Sequence, residues 1–126
     1  MSYCTQAQVL VYESNLLAWA KDIAGKILEA DKQINKFLRN ARDFDDDDIA
    51  DISTESLSDL VTPASYYVLF LCYNDMSEGN TDQYAAKAKD YRAWYERELS
   101  GLDIRLTSGG VTEDEPSSFG GGRVTL

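Results

Sequence analysis

The sequence predicts an all-α protein, a small bundle of four to five helices followed by an extended C-terminal arm. Alanine, leucine, isoleucine and tyrosine recur at three- and four-residue steps instead of alternating, and there are only two prolines in 126 residues. Charged residues, glycines and Pro116 interrupt every pattern after Thr107. Residues 1–107 therefore read as the helical domain and residues 108–126 as a Gly-rich arm. This length suits one domain with a core that needs neither disulfide nor metal.

Thr5 with Gln8 forms a capping box ahead of a first helix over roughly 6–13, with Val9, Leu10 and Tyr12 on it, and the chain can turn at Ser14 and Asn15. Leu16, Ala20, Ile23, Ile27, Ile34, Leu38 and Ala41 then make one stripe of a long amphipathic helix, which Gly25 weakens locally, so that a break can fall near there. Between 21 and 42 lie six basic and three acidic residues, a local +3. The next stretch, DFDDDDIADISTESLSD at 43–59, holds eight acids and no base. Adjacent carboxylates repel and aspartate competes for its own backbone, so a solvated loop is expected, with a short helix over about 54–61.

Thr62-Pro63 reads as a helix start, because proline suits the first helical position. The helix over about 63–76 is apolar nearly all round and is expected to be central to the core. Asn80 with Gln83 suggests a capping box for a helix over 81–99, facing inward with Tyr84, Ala88, Tyr91, Tyr95 and Leu99 or Leu102, and Gly101 ends it. LDIRLT, 102–107, alternates apolar and polar residues and reads as a short strand or an extended strap.

Composition excludes several functions. A formal charge of −10 argues against nucleic acid or an anionic membrane as the direct partner. The longest apolar run, YYVLFLCY at 66–73, is too short to span a bilayer, which leads us to expect a soluble protein made in the cytoplasm. Cys4 and Cys72 are the only cysteines and there is no histidine, so buried free thiols are expected in place of a disulfide, and a four-ligand zinc site is not. The aspartate run lacks the glycine and glutamate of a calcium loop: counted from Asp43 those places hold Asp48 and Thr54, and from Asp45 they hold Ala50 and Ser56. Without histidine the usual nucleophile and base pairs are missing, and Glu96 and Glu98 read as surface partners of Arg92 and Lys89, so no enzyme and no cofactor are expected. The chain has eight tyrosines and two tryptophans, and Tyr66, Tyr67, Tyr73, Tyr84, Tyr91, Trp94 and Tyr95 gather on two neighbouring helices, where they either pack the core or face a subunit interface.

Several segments resemble one family, the small helical head-tail adaptor (connector) proteins of tailed bacteriophages, including the Mu-type branch. Tyr3-Cys4-Thr5-Gln6 is similar to the family's opening tyrosine and helix cap, and ILEADKQINKFLR at 27–39 resembles its second helix. Pro63 followed by LFLCYNDM at 69–76 resembles its proline-started apolar helix, and YAAKAKDYRAWYERELSGLDIRL at 84–106 resembles its last helix, ending in glycine. The acidic insert DFDDDDIADIST departs from the Gly, Tyr and Pro mixture of the family at that place.

The resemblance implies a homo-oligomeric ring in the phage neck, commonly of twelve copies, between the portal protein and the next neck or tail-completion protein, with DNA passing through the lumen unbound. It also implies that the C-terminal arm reaches the portal. A glycine-rich arm that orders on docking would present Phe119, Val124 and Leu126 to pockets and Arg123 to acids. Charge suggests a subunit interface in which Lys32, Lys36 and Arg39 of one copy meet Asp45, Asp46, Asp47 and Asp48 of the next. A second class also accommodates a small acidic helical chain, an inhibitor or nucleic-acid mimic that occupies a basic groove of a host protein. Its acids would be spread at phosphate-like spacing, whereas here they concentrate in one segment and residues 81–100 balance four bases against four acids.

Overall fold

Thr5 does open the first helix: its hydroxyl accepts from the Gln8 N–H at 3.3 Å and the Gln8 amide oxygen accepts from the Thr5 N–H at 2.8 Å. In a computed structural model, which describes residues 2–77 and 82–107, five α-helices and one 3-10 turn form the regular structure of the described residues. They are α1 (Gln6–Leu10), α2 (Ile23–Ala41), α3 (Asp46–Ala50), α4 (Thr54–Met76) and α5 (Asp82–Ser100). The fold is thus mostly helical, as the sequence predicts. Asn80 lies outside the described residues, as do the arm positions Phe119, Arg123, Val124 and Leu126. The described residues form two compact units, one from 2–37, 59–77 and 82–102, the other from 38–58 and 103–107.

In the first unit the core runs through Val9, Leu16, Ile27, Ile34, Leu60, Val68, Leu69, Tyr91, Tyr95 and Leu99, all buried. Three boundaries differ from the sequence expectation. Helix α1 stops at Leu10 instead of reaching residue 13, and Val11 is left 79% exposed. The helix predicted from Leu16 begins at Ile23, with Leu16–Ala18 a separate 3-10 turn. Asp22 decides that start: its carboxylate accepts from the Gly25 N–H at 3.1 Å and its carbonyl from the Lys26 N–H at 3.1 Å. Asp22 adopts a positive φ of 51°, which turns the incoming chain out of line with the helix. A Cβ at Gly25 would meet the Asp22 carboxylate, so a larger residue there would displace that cap. Of the predicted stripe, Leu16, Ile23, Ile27, Ile34 and Leu38 are buried, joined by Ala30, while Ala41 is exposed.

Thr62-Pro63 does not start a helix. Helix α4 begins eight residues earlier and runs through Pro63 without a break. Its start is set by Ser53, whose hydroxyl accepts from the Ser56 N–H at 3.2 Å, with Glu55 in the first turn favoured by the helix dipole. Pro63 removes one backbone bond at about 3 kcal/mol. That is outweighed because Leu60, Pro63, Ala64, Val68 and Leu69 are all buried, and each large apolar side chain contributes about 1.5–3 kcal/mol. On α5 the inward face is Ala88, Tyr91, Tyr95 and Leu99, while Tyr84 is only half-buried.

The second unit overturns the loop expected for the aspartate run. Asp45 caps α3, accepting from the Asp48 N–H at 2.8 Å, and Asp48 returns the favour to the Asp45 N–H at 3.0 Å. Repulsion among Asp46, Asp47 and Asp48 is offset because all three occupy the first turn, where the exposed N–H groups and the helix dipole favour negative charge. The LDIRLT segment is a strap with a single antiparallel bridge, Ile52 to Leu106. The Ser53 N–H donates to the Arg105 carbonyl at 2.8 Å and the Thr107 N–H to the Asp51 carbonyl at 2.6 Å. Buried Ser56 receives the Arg105 N–H at 2.8 Å, and Ile52 and Ile104 are buried in the same unit.

Replacing Asp22 by alanine removes a cap and places a Cβ-branched-free but non-polar residue at positive φ, so a loss of about 2 kcal/mol is expected in denaturant unfolding. Asp22→Asn, which keeps both the acceptor and the tolerance of positive φ, is expected to stay within about 0.5 kcal/mol of the wild type.

Candidate functional site

Tyr73 on α4 and Tyr91 on α5 point into the first unit because their helical positions coincide with its apolar face, and they are 6% and 4% exposed. A phenol buried that deeply needs an acceptor for its O–H. The acceptor is Glu13, on the turn between α1 and the 3-10 segment. Its Oε1 accepts from Tyr73 at 2.7 Å and its Oε2 from Tyr91 at 2.6 Å, with Lys87 Nζ at 3.3 Å from the same Oε2. One carboxylate therefore joins the N-terminal turn to two helices.

The lengths of the two phenol bonds are those of charge-assisted hydrogen bonds. Burial alone would raise the Glu13 carboxyl, but the hydrogen bonds from Tyr91, Tyr73 and Lys87, with the Lys87 charge, outweigh it and hold it below its ordinary value. The same contacts act oppositely on the phenols. Burial first, then hydrogen bonding to Glu13 and its charge, pushes both Tyr73 and Tyr91 far above the usual tyrosine range. The rings reinforce the clamp: Tyr73 and Tyr91 stack with centroids 5.8 Å apart, Trp19 lies 4.9 Å from Tyr73, and Lys87 sits 5.7 and 5.9 Å from the two ring centroids. Both phenols and the ammonium thus find their partner in the one carboxylate, an arrangement suited to holding helices together.

The remaining aromatics divide between core and surface. Tyr95 is 3% exposed and packs on Tyr67 at 4.8 Å. Tyr12 and Trp94 are 39% and 37% exposed, and both contact Tyr66, at 5.3 and 6.0 Å. Around Tyr66 these two rings present exposed aromatic surface of the kind enriched at interfaces. Cys4 and Cys72 are free and buried, and burial pushes both thiols up to about 11, so neither presents a thiolate at neutral pH.

The interface residues proposed from charge are largely engaged within their own chain. Arg39 donates to Asp46 at 2.9 Å, both in the second unit, and Asp45 and Asp48 serve as the α3 capping box. Asp47 is exposed. In the first unit Lys32 lies 3.5 Å from Glu29, whereas Lys36 is exposed and has no ion-pair partner among the described residues. The expected Arg92–Glu96 pair is present at 3.1 Å.

Among the described residues no group of three or more candidate ligands could hold a metal ion, and no helix is long and apolar enough to cross a membrane. No family model, curated protein or solved structure matches the chain.

Glu13→Ala leaves two buried phenols and one lysine without their acceptor, and a loss of about 2–4 kcal/mol is expected in denaturant unfolding at neutral pH. Glu13→Gln, which keeps one carbonyl oxygen, is expected to lose about half as much. Because the folded carboxyl is held below its unfolded value of 4.5, this stabilisation is complete above that pH and disappears as pH falls through the folded value. Urea midpoints of wild type and Glu13→Gln are therefore expected to converge on acidification; a constant gap would contradict the charged clamp.

Proposed function

We propose that the chain is a non-catalytic structural protein of a tailed-bacteriophage virion, a head-tail adaptor whose copies form a ring in the neck and join the portal vertex of the capsid to the tail. The observation that carries this reading is the order of the resembling segments along a helical chain. Residues 27–39 fall within α2, 69–76 within α4, and 84–106 on α5 and the strap that follows it. Pro63 is a departure, since it lies inside α4 and does not start it.

Two physical features support the reading. The described polar groups with the most perturbed environments are consumed in mutual contacts, which suits a rigid building block better than a catalyst. The exposed rings of Tyr12 and Trp94, both against Tyr66, offer apolar surface to a neighbouring protein. In this proposal the arm supplies the portal contacts through Phe119, Arg123, Val124 and Leu126. Its ordering lowers affinity per contact, and the several arms of one ring compensate by acting together. The net charge of −10 keeps the lumen from retaining DNA, because like charge opposes phosphate adhesion.

Electron microscopy of the protein mixed with the portal of its virus, full length beside a chain ending at Glu115, tests this reading. The expected outcome is a ring stacked on the portal for the full chain and none for the truncated one. If neither form binds the portal, the adaptor function fails.

A further inference from the structure

The chain has two tryptophans, and each stands against one of the two phenols that share Glu13. The Trp94 ring meets Tyr91 edge-on with centroids 5.1 Å apart, and the Trp19 ring lies 4.9 Å from Tyr73. The two phenol rings stack 5.8 Å apart, within 13° of parallel. These rings make an unbroken row that begins at Trp94, 37% exposed, and runs inward to Tyr91 and Tyr73, at 4% and 6%. What sets the two phenols apart is their acceptor: Tyr91 donates to Glu13 Oε2 at 2.6 Å and Tyr73 to Oε1 at 2.7 Å. Tyr12 and Tyr66 adjoin the same row, yet neither hydroxyl has an acceptor among the described residues. A phenol that loses an electron becomes a strong acid, so its oxidation is easiest where a base already stands at its O–H. Glu13 is such a base for both rings.

We propose that Tyr91 and Tyr73 form a redox-active pair, which takes up a one-electron oxidation delivered to Trp94 by a diffusing oxidising radical. The oxidant gains one electron from the exposed indole and leaves as its anion, so Trp94 becomes a radical cation. Tyr91 then passes one electron to the indole and its phenol proton to Glu13 Oε2. The products are neutral Trp94, a neutral Tyr91 phenoxyl radical and a protonated Glu13, and the charges of the indole cation and the carboxylate cancel. Transfer on to Tyr73 balances in the same way: Tyr73 gives its electron to Tyr91 through the stack and its proton to Oε1, while the proton on Oε2 returns to Tyr91. Burial of both phenols keeps the radical from coupling with a second molecule, as one held on Trp94 or Tyr12 is free to do. The site is complete within one chain, so this proposal does not depend on the neck reading.

Pulse radiolysis of the full chain with the azidyl radical tests the proposal, the indole and phenoxyl radicals being followed by their absorption and the fold of each variant by circular dichroism. In the wild type the indole radical is expected to convert to phenoxyl at a rate independent of protein concentration, and more slowly in deuterium oxide because a proton moves with the electron. Glu13→Gln is expected to slow that conversion by about tenfold or more, since the positioned base is gone. Tyr73→Phe with Tyr91→Phe, which keeps both rings in the packing, is expected to abolish the fast phase, and Tyr12→Phe to leave it unchanged. A rate that scales with protein concentration, or one indifferent to deuterium, overturns the proposal. A smaller slowing in Glu13→Gln, a fast phase that survives loss of both phenols, or one lost with Tyr12 overturns it equally.

Discussion

The packing of the first unit depends on one buried carboxylate. Glu13 is 15% exposed at its side chain, yet it stays ionised because two phenols and an ammonium replace the water it gave up. Without it, the inward positions of Tyr73 and Tyr91 would each bury an unsatisfied hydroxyl, at about 1–3 kcal/mol apiece. The clamp also fixes where the N-terminal segment lies. Helix α1 is only five residues long and cannot be stable alone, so its position follows from Val9 in the core and Glu13 on α4 and α5. Tyr3 adds a second anchor on α2, its N–H donating to Asp31 at 2.9 Å and its hydroxyl to Asn35 at 2.5 Å.

A chain with ten excess negative charges must place its acids where they do least harm. Much of the solution is local. Asp22 and Asp45 sit at helix starts, Asp46, Asp47 and Asp48 fill a first turn, and Glu55 occupies another. In each place the unpaired backbone N–H groups favour negative charge. The acidic segment is therefore structured by the same carboxylates that seem to forbid a helix when counted as a run. The ion pair of Arg39 with Asp46 is exposed and contributes little to stability.

Much of this was legible in the sequence. The all-helical class, the Thr5–Gln8 box, the inward face of α5 and the buried thiols follow from local pattern. The continuous α4 was not legible, because Thr62-Pro63 is a good local start signal and only the burial of the flanking apolar residues overrides it. The break before α2 was legible only as the weak point at Gly25; its position was not, since Asp22 at positive φ leaves no trace in periodicity. Glu13 was missed because its partners lie 60 and 78 residues away. A signal did exist: two tyrosines on inward faces require a buried acceptor, and Glu13 is the acid set between Tyr12 and a turn with no base beside it.

The most direct test of the clamp is a double-mutant cycle between Glu13→Gln and Tyr91→Phe, read by denaturant unfolding at neutral pH. A coupling of at least about 1.5 kcal/mol is expected for a desolvated, charge-assisted bond. Additive losses, within about 0.5 kcal/mol, would show that the carboxylate and the phenol act independently and that the fold does not rest on their contact.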